Sequence, residues 1–218
     1  MSIKEMKKLF VMWLVGILSM SAACAAETAP AIIELPQPSA DGMSLMQALK
    51  QRQSVREYAD REIAPQDLSN LLWAAFGVNR PEEGKRTAPS GSNRQEIEVY
   101  AVFKTGIYHY DAAKHRLELT AEGDHRARTG RGFAATAPLN LLFMADTDKA
   151  GPGAKAGEAN TVSYVDVGYI SQNVYLYCAS AGMGTVARGG WNQDALIEVM
   201  KIKPAYICVL GQSVGYLK

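Results

Sequence analysis

Two guanidiniums and a hydroxyl alternate in Arg52-Gln53-Ser54-Val55-Arg56-Glu57-Tyr58. On extended backbone every second side chain points the same way, so Arg52, Ser54 and Arg56 would share one face. Two forked donors flanking a small hydroxyl suit an oxyanion such as a phosphate. On a helix, Arg52 and Arg56 would still share a face while Ser54 turned away. Taken alone, these seven residues are explained more simply as the solvated polar end of a helix. The rest of the chain shifts that balance.

Other apparent motifs lack the context that gives them chemistry. Gly182-Met183-Gly184-Thr185-Val186-Ala187 has the spacing of a dinucleotide fingerprint, but it follows a long helical pattern instead of a strand. Its glycines suit a tight turn and a close backbone approach. The Gly151–Gly157 segment contains Lys155 but no Gly-Lys-Ser/Thr, and no Gly-x-Ser-x-Gly elbow occurs. His109, His115 and His125 are not spaced as metal ligands, so no metal is expected. Cys178 and Cys208 lie in apolar segments and read as buried packing; whether they pair is left open by the sequence.

The elements that must position the arginines can be read in order. Ser44 and Gln47 form a capping box for a short helix that delivers the chain to Arg52. Pro65 starts a second helix with Leu68, Leu71, Leu72 and Ala75 at helical spacing, and Gly77 stops it. The turn-forming loop 86–95 leads into a strand at 97–103. Residues 106–111 and 116–119 read as a hairpin, and 137–145 as a strand buried on both faces. Residues 163–181 carry so little charge that a helix there should lie buried between layers. A short helix at 195–200 and a closing strand at 206–211 complete the chain.

The 218 residues suit one domain with an ample core, and a net charge of +1 gives no sign of a nucleic-acid partner. The N-terminus reads as a secretory signal over residues 1–25: Lys4, Lys7 and Lys8, an apolar run at 9–18, then small residues. That run is short for a membrane span. Ala23-Cys24-Ala25 fits a signal-peptidase site, whereas Ser21-Ala22-Ala23-Cys24 is a loose lipobox that would lipidate Cys24. The expected location is therefore periplasmic or lipid-anchored at the cell envelope. Lys7-Lys8 is not a twin arginine, so export would proceed unfolded and any cofactor would bind afterwards. Residues 26–43, with Pro30, Pro36 and Pro38, read as an extended arm, and 44–218 as the folded domain.

In combination these parts resemble the FMN-dependent nitroreductase-like flavoproteins. The resemblance rests on Arg-x-Ser-x-Arg-x-Tyr after a helix, and on Pro89-Ser90-Gly91-Ser92-Asn93-Arg94-Gln95 entering a strand. It continues through Asp166-Val167-Gly168, Gln172-Asn173, Gly182–Thr185, Gly189-Gly190 and Leu210-Gly211-Gln212-Ser213-Val214-Gly215-Tyr216. It spans about Ile32 to Lys218. The 33–38 arm and the 107–119 hairpin look most like the SagB-type dehydrogenase branch, whose members oxidise azoline rings in peptides.

The resemblance implies an α+β fold with a central, mostly antiparallel sheet flanked by helices, and an intertwined homodimer with FMN at the subunit interface. By position, Arg52, Ser54 and Arg56 match the residues that hold the flavin phosphate and ribityl chain. Ser90, Ser92 and Asn93 match a loop that reaches the flavin from the other subunit. Gly189 and Gly190 match backbone that approaches the ring near N5, and Lys218 is the nearest candidate for a C-terminal phosphate-binding residue. The implied activity is an oxidoreductase cycle in which a small-molecule donor reduces the flavin and leaves before an acceptor reoxidises it. A flavin-binding carrier or sensor with little turnover is the alternative. No general acid or base stands out; Tyr108, Tyr110 and Arg188 are available, although ordinary core or surface roles account for each.

Overall fold

The computed structural model describes residues 28–151, 155 and 157–218. The expected signal segment and Cys24 lie outside the described residues. From the N-terminal side the chain forms strand β1 (Ile32–Glu34), helix α1 (Leu45–Gln51) and helix α2 (Pro65–Phe76). The small hairpin β2 (Val78–Arg80) and β3 (Lys85–Arg86) precedes the sheet strands β4 (Ile97–Val102), β5 (Gly106–Asp111) and β6 (Arg116–Glu122). Two single-turn helices, α3 (Arg126–Thr129) and α4 (Phe133–Thr136), lead to β7 (Leu139–Asp146). Helix α5 (Thr161–Ser180), strand β8 (Met183–Arg188), helix α6 (Gln193–Met200) and strand β9 (Tyr206–Tyr216) follow.

Seven strands make one sheet in the order β1-β6-β5-β4-β7-β9-β8, and every neighbouring pair is antiparallel. Strand β7 is buried along its whole length, as its unbroken apolar run requires. Alternation divides it: Leu139, Leu141, Phe143 and Ala145 join the core beneath α2 and α5, while Leu142 and Met144 join a second core with Leu196 and Met200 of α6. The sheet is thus covered on both faces, giving an α+β domain with a central antiparallel sheet. Among the described residues no helix is long and apolar enough to cross a membrane.

Several elements depart from the sequence expectation. The arm is partly a packed element, because β1 pairs with β6 and Leu35 is buried. Strand β8 follows the turn at Gly182, whose φ is +67°, so only the start of the glycine-rich segment is a turn. Helix α5 buries one face, through Val167, Ile170, Ser171, Val174 and Cys178, whereas Tyr164, Val165 and Tyr169 are about half exposed. A helix with apolar residues all round buries only the face that this chain covers.

The arm is clasped to the body by a polar cluster. Ser69 Oγ donates to the Pro36 carbonyl at 2.5 Å, and His115 Nε2 lies 2.8 Å from Ser69 Oγ. Tyr110 Oη lies 2.8 Å from His115 Nδ1. A neutral imidazole satisfies this arrangement, with Nε2–H donating to Ser69 and Nδ1 accepting from Tyr110. Burial lowers the His115 pKa below its ordinary 6.5. The native state therefore binds fewer protons, so this contribution is complete above pH 6.5 and is lost as pH falls through the lowered value. Urea midpoints of the wild type should drop as the pH falls from 6.5 through the lowered value. His115→Gln should be less stable at neutral pH but lack this part of the slope. Parallel pH profiles for the two proteins would show that the clasp does not depend on neutral His115.

Candidate functional site

The stretch from Arg52 to Ala59 lies across the end of the sheet, held by backbone bonds on two strands. Val55 N–H donates to the Thr185 carbonyl at 2.9 Å, and Ala59 N–H donates to the Tyr216 carbonyl at 2.9 Å. Tyr58 Oη donates to the Val55 carbonyl at 2.8 Å, closing the stretch on itself. Below it, Gly184 of β8 and Gly215 of β9 are direct cross-strand partners. A Cβ on Gly184 would sit 2.8 Å from Val55 Cγ1, and one on Gly215 would sit 2.8 Å from Tyr58 Cβ. Two facing glycines thus make a flat patch that admits Val55 and Tyr58. With those two side chains turned inward, Ser54 and Arg56 remain exposed and Arg52 partly so.

Arg52 and Ser54 meet at Tyr175 of α5. The Arg52 guanidinium carbon lies 5.3 Å from the Tyr175 ring centroid, within cation–π range. Ser54 Oγ lies 3.0 Å from Tyr175 Oη, which also accepts from the Ala187 N–H at 2.9 Å. A cavity of about 400 Å³ opens here, lined by Lys50, Arg52, Val55, Tyr175, Thr185 and Leu217 among others. An isolated bridge between Tyr58 and Leu217 brings the C-terminus to this mouth. Lys218 beside it pairs loosely with Glu57, with Nζ 3.7 Å from Oε2, an exposed contact that constrains the lysine little. Lys50 and Arg52 thus line one basic opening, and Lys218 follows Leu217 at its edge.

The loop 90–93 is placed elsewhere. Gly91 N–H donates to Asp166 Oδ2 at 2.8 Å, fixing the loop to the first half of α5. Asp166 and Tyr175 are about 14 Å apart along the helix at 1.5 Å per residue. Ser92 and Asn93 adopt left-handed φ values of 53° and 54°, a costly conformation for such residues that the surrounding bonds must hold. Asn93 Oδ1 accepts from Gln95 Nε2 at 3.1 Å, and Ser90 Oγ accepts from Gln95 N–H at 3.0 Å. Behind the loop, Glu96 is 1% exposed. Burial, and then the neighbouring Asp166 carboxyl, push its pKa up.

Gly189 and Gly190 follow β8 two and three residues after Ala187, at most about 11 Å along the chain. Both are exposed; a Cβ on Gly190 would meet nothing within 4 Å, and one on Gly189 only the edge of Trp191 at 4.0 Å. They leave open space where a flat group could approach backbone. Tyr108 and Tyr110 are buried in the core. Arg188 turns to the opposite side of the sheet edge, donating to Thr129 Oγ1, Asn140 Oδ1 and Ser213 Oγ at 2.7–2.9 Å. Cys178 and Cys208 are free, buried thiols whose pKa values burial pushes up. Among the described residues no cluster of metal-ligating side chains occurs. Tyr175 was not singled out from sequence, where it is one of several aromatics in an apolar helix.

Comparison with known proteins agrees with this architecture. MJ1384 of Methanocaldococcus jannaschii, a nitroreductase homologue, is 29% identical over 195 residues, 84% of this chain and 98% of its own length. The crystal structure of a nitroreductase homologue from Ralstonia eutropha JMP134 superposes with a TM-score of 0.80 at 39% identity, covering 87% of this chain and 90% of that one. A Desulfovibrio desulfuricans homologue solved in complex with FMN shares the fold, with a TM-score of 0.56 at 21% identity over 80% of this chain and 86% of that one. The profile of the Nitroreductase family matches residues 49–216, from the end of α1 to the end of β9. This chain, with its antiparallel sheet and its arginine stretch docked on β8 and β9, belongs to the nitroreductase family.

Proposed function

We propose that this nitroreductase-family oxidoreductase binds FMN at the Arg52–Ser54–Tyr175 opening and works outside the cytoplasm. The observation that carries the cofactor reading is the proximity of a basic mouth to an open glycine turn: Arg52 and Ser54 touch Tyr175, which holds Ala187 just before Gly189-Gly190. The residues fit a phosphorylated flavin in kind: cationic forks and a hydroxyl for the phosphate, and bare backbone for the ring. Arg52, Ser54 and Arg56, with Lys218 beside them, would hold the phosphate and ribityl end, and Gly189 and Gly190 would face the ring. When bound, FMN would supply the redox chemistry; the chain orients it, neutralises its phosphate and leaves a face open to a small-molecule donor and acceptor.

The remaining site residues come from a second copy in this reading. Ser90, Ser92 and Asn93 sit at the Asp166 end of α5, away from Tyr175 in the same chain. A two-fold axis across α5 would set the helices antiparallel and bring the partner's loop to the Tyr175 end. The same packing would cover the apolar face left open on α1 and α5, where Met46 is 73% exposed, Leu45 62% and Tyr164 59%. Within the family, the arm and the β5–β6 hairpin favour a SagB-type dehydrogenase role, and residues 1–25 favour export.

Three outcomes test these statements. Removing a hydrogen bond to a charged group costs about 1.5–3 kcal/mol, so Arg52→Ala or Arg56→Ala should each weaken FMN binding about tenfold to a hundredfold. Arg→Lys should recover part of that loss. Full flavin occupancy of the double alanine variant after gel filtration would remove the phosphate assignment. Next, mixing the Arg52→Ala/Arg56→Ala chain with an Asn93→Ala chain should restore some flavin sites in heterodimers, and an FMN-loaded monomer in sedimentation would contradict the shared site. Finally, an exported enzyme meets no standing pool of NAD(P)H, so anaerobic stopped-flow should show slow flavin reduction by NADH and NADPH and faster reduction by a non-nicotinamide donor. Reduction by NADPH at roughly 1–1000 per second with micromolar affinity would refute that donor assignment.

A further inference from the structure

We infer that Tyr175 is a positioning residue that aims the Ser54 proton at the anionic end of the ligand. This rests on the FMN reading above. The phenol oxygen already accepts the Ala187 N–H at 2.9 Å, and it lies 3.0 Å from Ser54 Oγ. A phenol has one proton to give. With Ala187 occupying an acceptor site, both hydroxyls are best used when Tyr175 donates to Ser54. The opposite assignment leaves the phenol proton without a partner and spends the serine proton on a neutral oxygen. Once Ser54 accepts from Tyr175, its own proton is free for a phosphate oxygen, where a charge-assisted bond is the stronger one.

The same side chain sets the neighbouring cation. The Tyr175 ring lies under the Arg52 guanidinium, so the planar fork is supported before any anion arrives. Tyr175 lines the cavity and is only half-buried, and Ser54, hydrogen-bonded to it, is exposed instead of in the core. Tyr175 lies on a rigid 20-residue helix whose other face is packed against the sheet, which keeps the hydroxyl in place. It links the arginine stretch, the end of β8 and α5 through one oxygen and one ring. Its role is to fix the geometry of groups that touch the ligand, without touching it in the reacting region.

The test is the preference of the apoprotein for FMN over riboflavin, two ligands that differ by the phosphate, read from quenching of flavin fluorescence with the full mature chain. Tyr175→Phe keeps the ring under Arg52 and removes the hydroxyl alone. It should cut the FMN-over-riboflavin preference by a few-fold, up to about tenfold, the size of one hydrogen bond between uncharged groups. Ser54→Ala, which removes the charge-assisted bond itself, should cost at least as much, and the double variant should lose little more than Ser54→Ala alone, because the phenol acts through the serine. Equal weakening of both flavins by Tyr175→Phe would make Tyr175 a merely structural residue and overturn the proposal. Full multiplication of the two losses in the double variant would also overturn it. A wild type that bound neither flavin would overturn the cofactor reading and this inference with it, an outcome distinct from either of those.

Discussion

The site depends on how closely residues 52–59 can approach the sheet. Gly184 and Gly215 face each other across β8 and β9, and the inward side chains of Val55 and Tyr58 occupy the space that two Cβ atoms would fill. The backbone bonds from Val55 to Thr185 and from Ala59 to Tyr216 then fix the stretch at both ends. With its inner residues committed in this way, the stretch has only its outer residues left to face a ligand. Arg52 and Ser54 owe their direction to a steric vacancy several strands away in sequence. Glycine here contributes close contact as well as conformational freedom.

That docking platform is itself held by the centre of the sheet. Strand β9 pairs with β7 on one side and β8 on the other, and β7 is buried on both faces between the α2–α5 layer and α6. Polar staples lock the layers. Ser171 Oγ of α5 donates to Gln212 Oε1 of β9 at 2.9 Å in a fully buried position, and Arg188 joins β8 to Asn140 of β7 and Ser213 of β9. Buried groups satisfied in this way resist sliding of one element past another. The register of β8 against β9, and with it the glycine pair, follows from these contacts.

Helix α5 connects the two halves of the candidate site while keeping them apart. Asp166 holds the 90–93 loop near one end, and Tyr175 gathers Arg52, Ser54 and Ala187 further along. Its inner face is packed on the sheet and its outer face carries Tyr164, Val165 and Tyr169 into solvent. A helix that is rigid and apolar on both sides is a sound spacer between binding groups. In the reading proposed above, the protein's part in the redox reaction is geometric and electrostatic, with cations at one end and bare backbone at the other.

Sequence alone determined the periodic and punctuated parts. The unbroken apolar run at 137–145 became the doubly buried β7, the capping box at Ser44 and Gln47 starts α1, and the alternation at 106–119 became the β5–β6 hairpin. Arg52, Ser54 and Arg56 could be nominated because residue type and order are local facts. Strand β8 escaped notice because its glycines imitate a turn, and β1 because three residues next to prolines show no pattern until β6 is there to pair with them. The closing strand was read five residues short, since Gln212, Ser213 and Gly215 look like a loop unless Arg188, Ser171 and Tyr58 are seen against them. Only the tertiary structure could select Tyr175 from among the aromatics of α5, or put the 90–93 loop at the opposite end from the arginines. Those are distances between segments remote in sequence, and they are set by packing across the whole sheet instead of by local propensity.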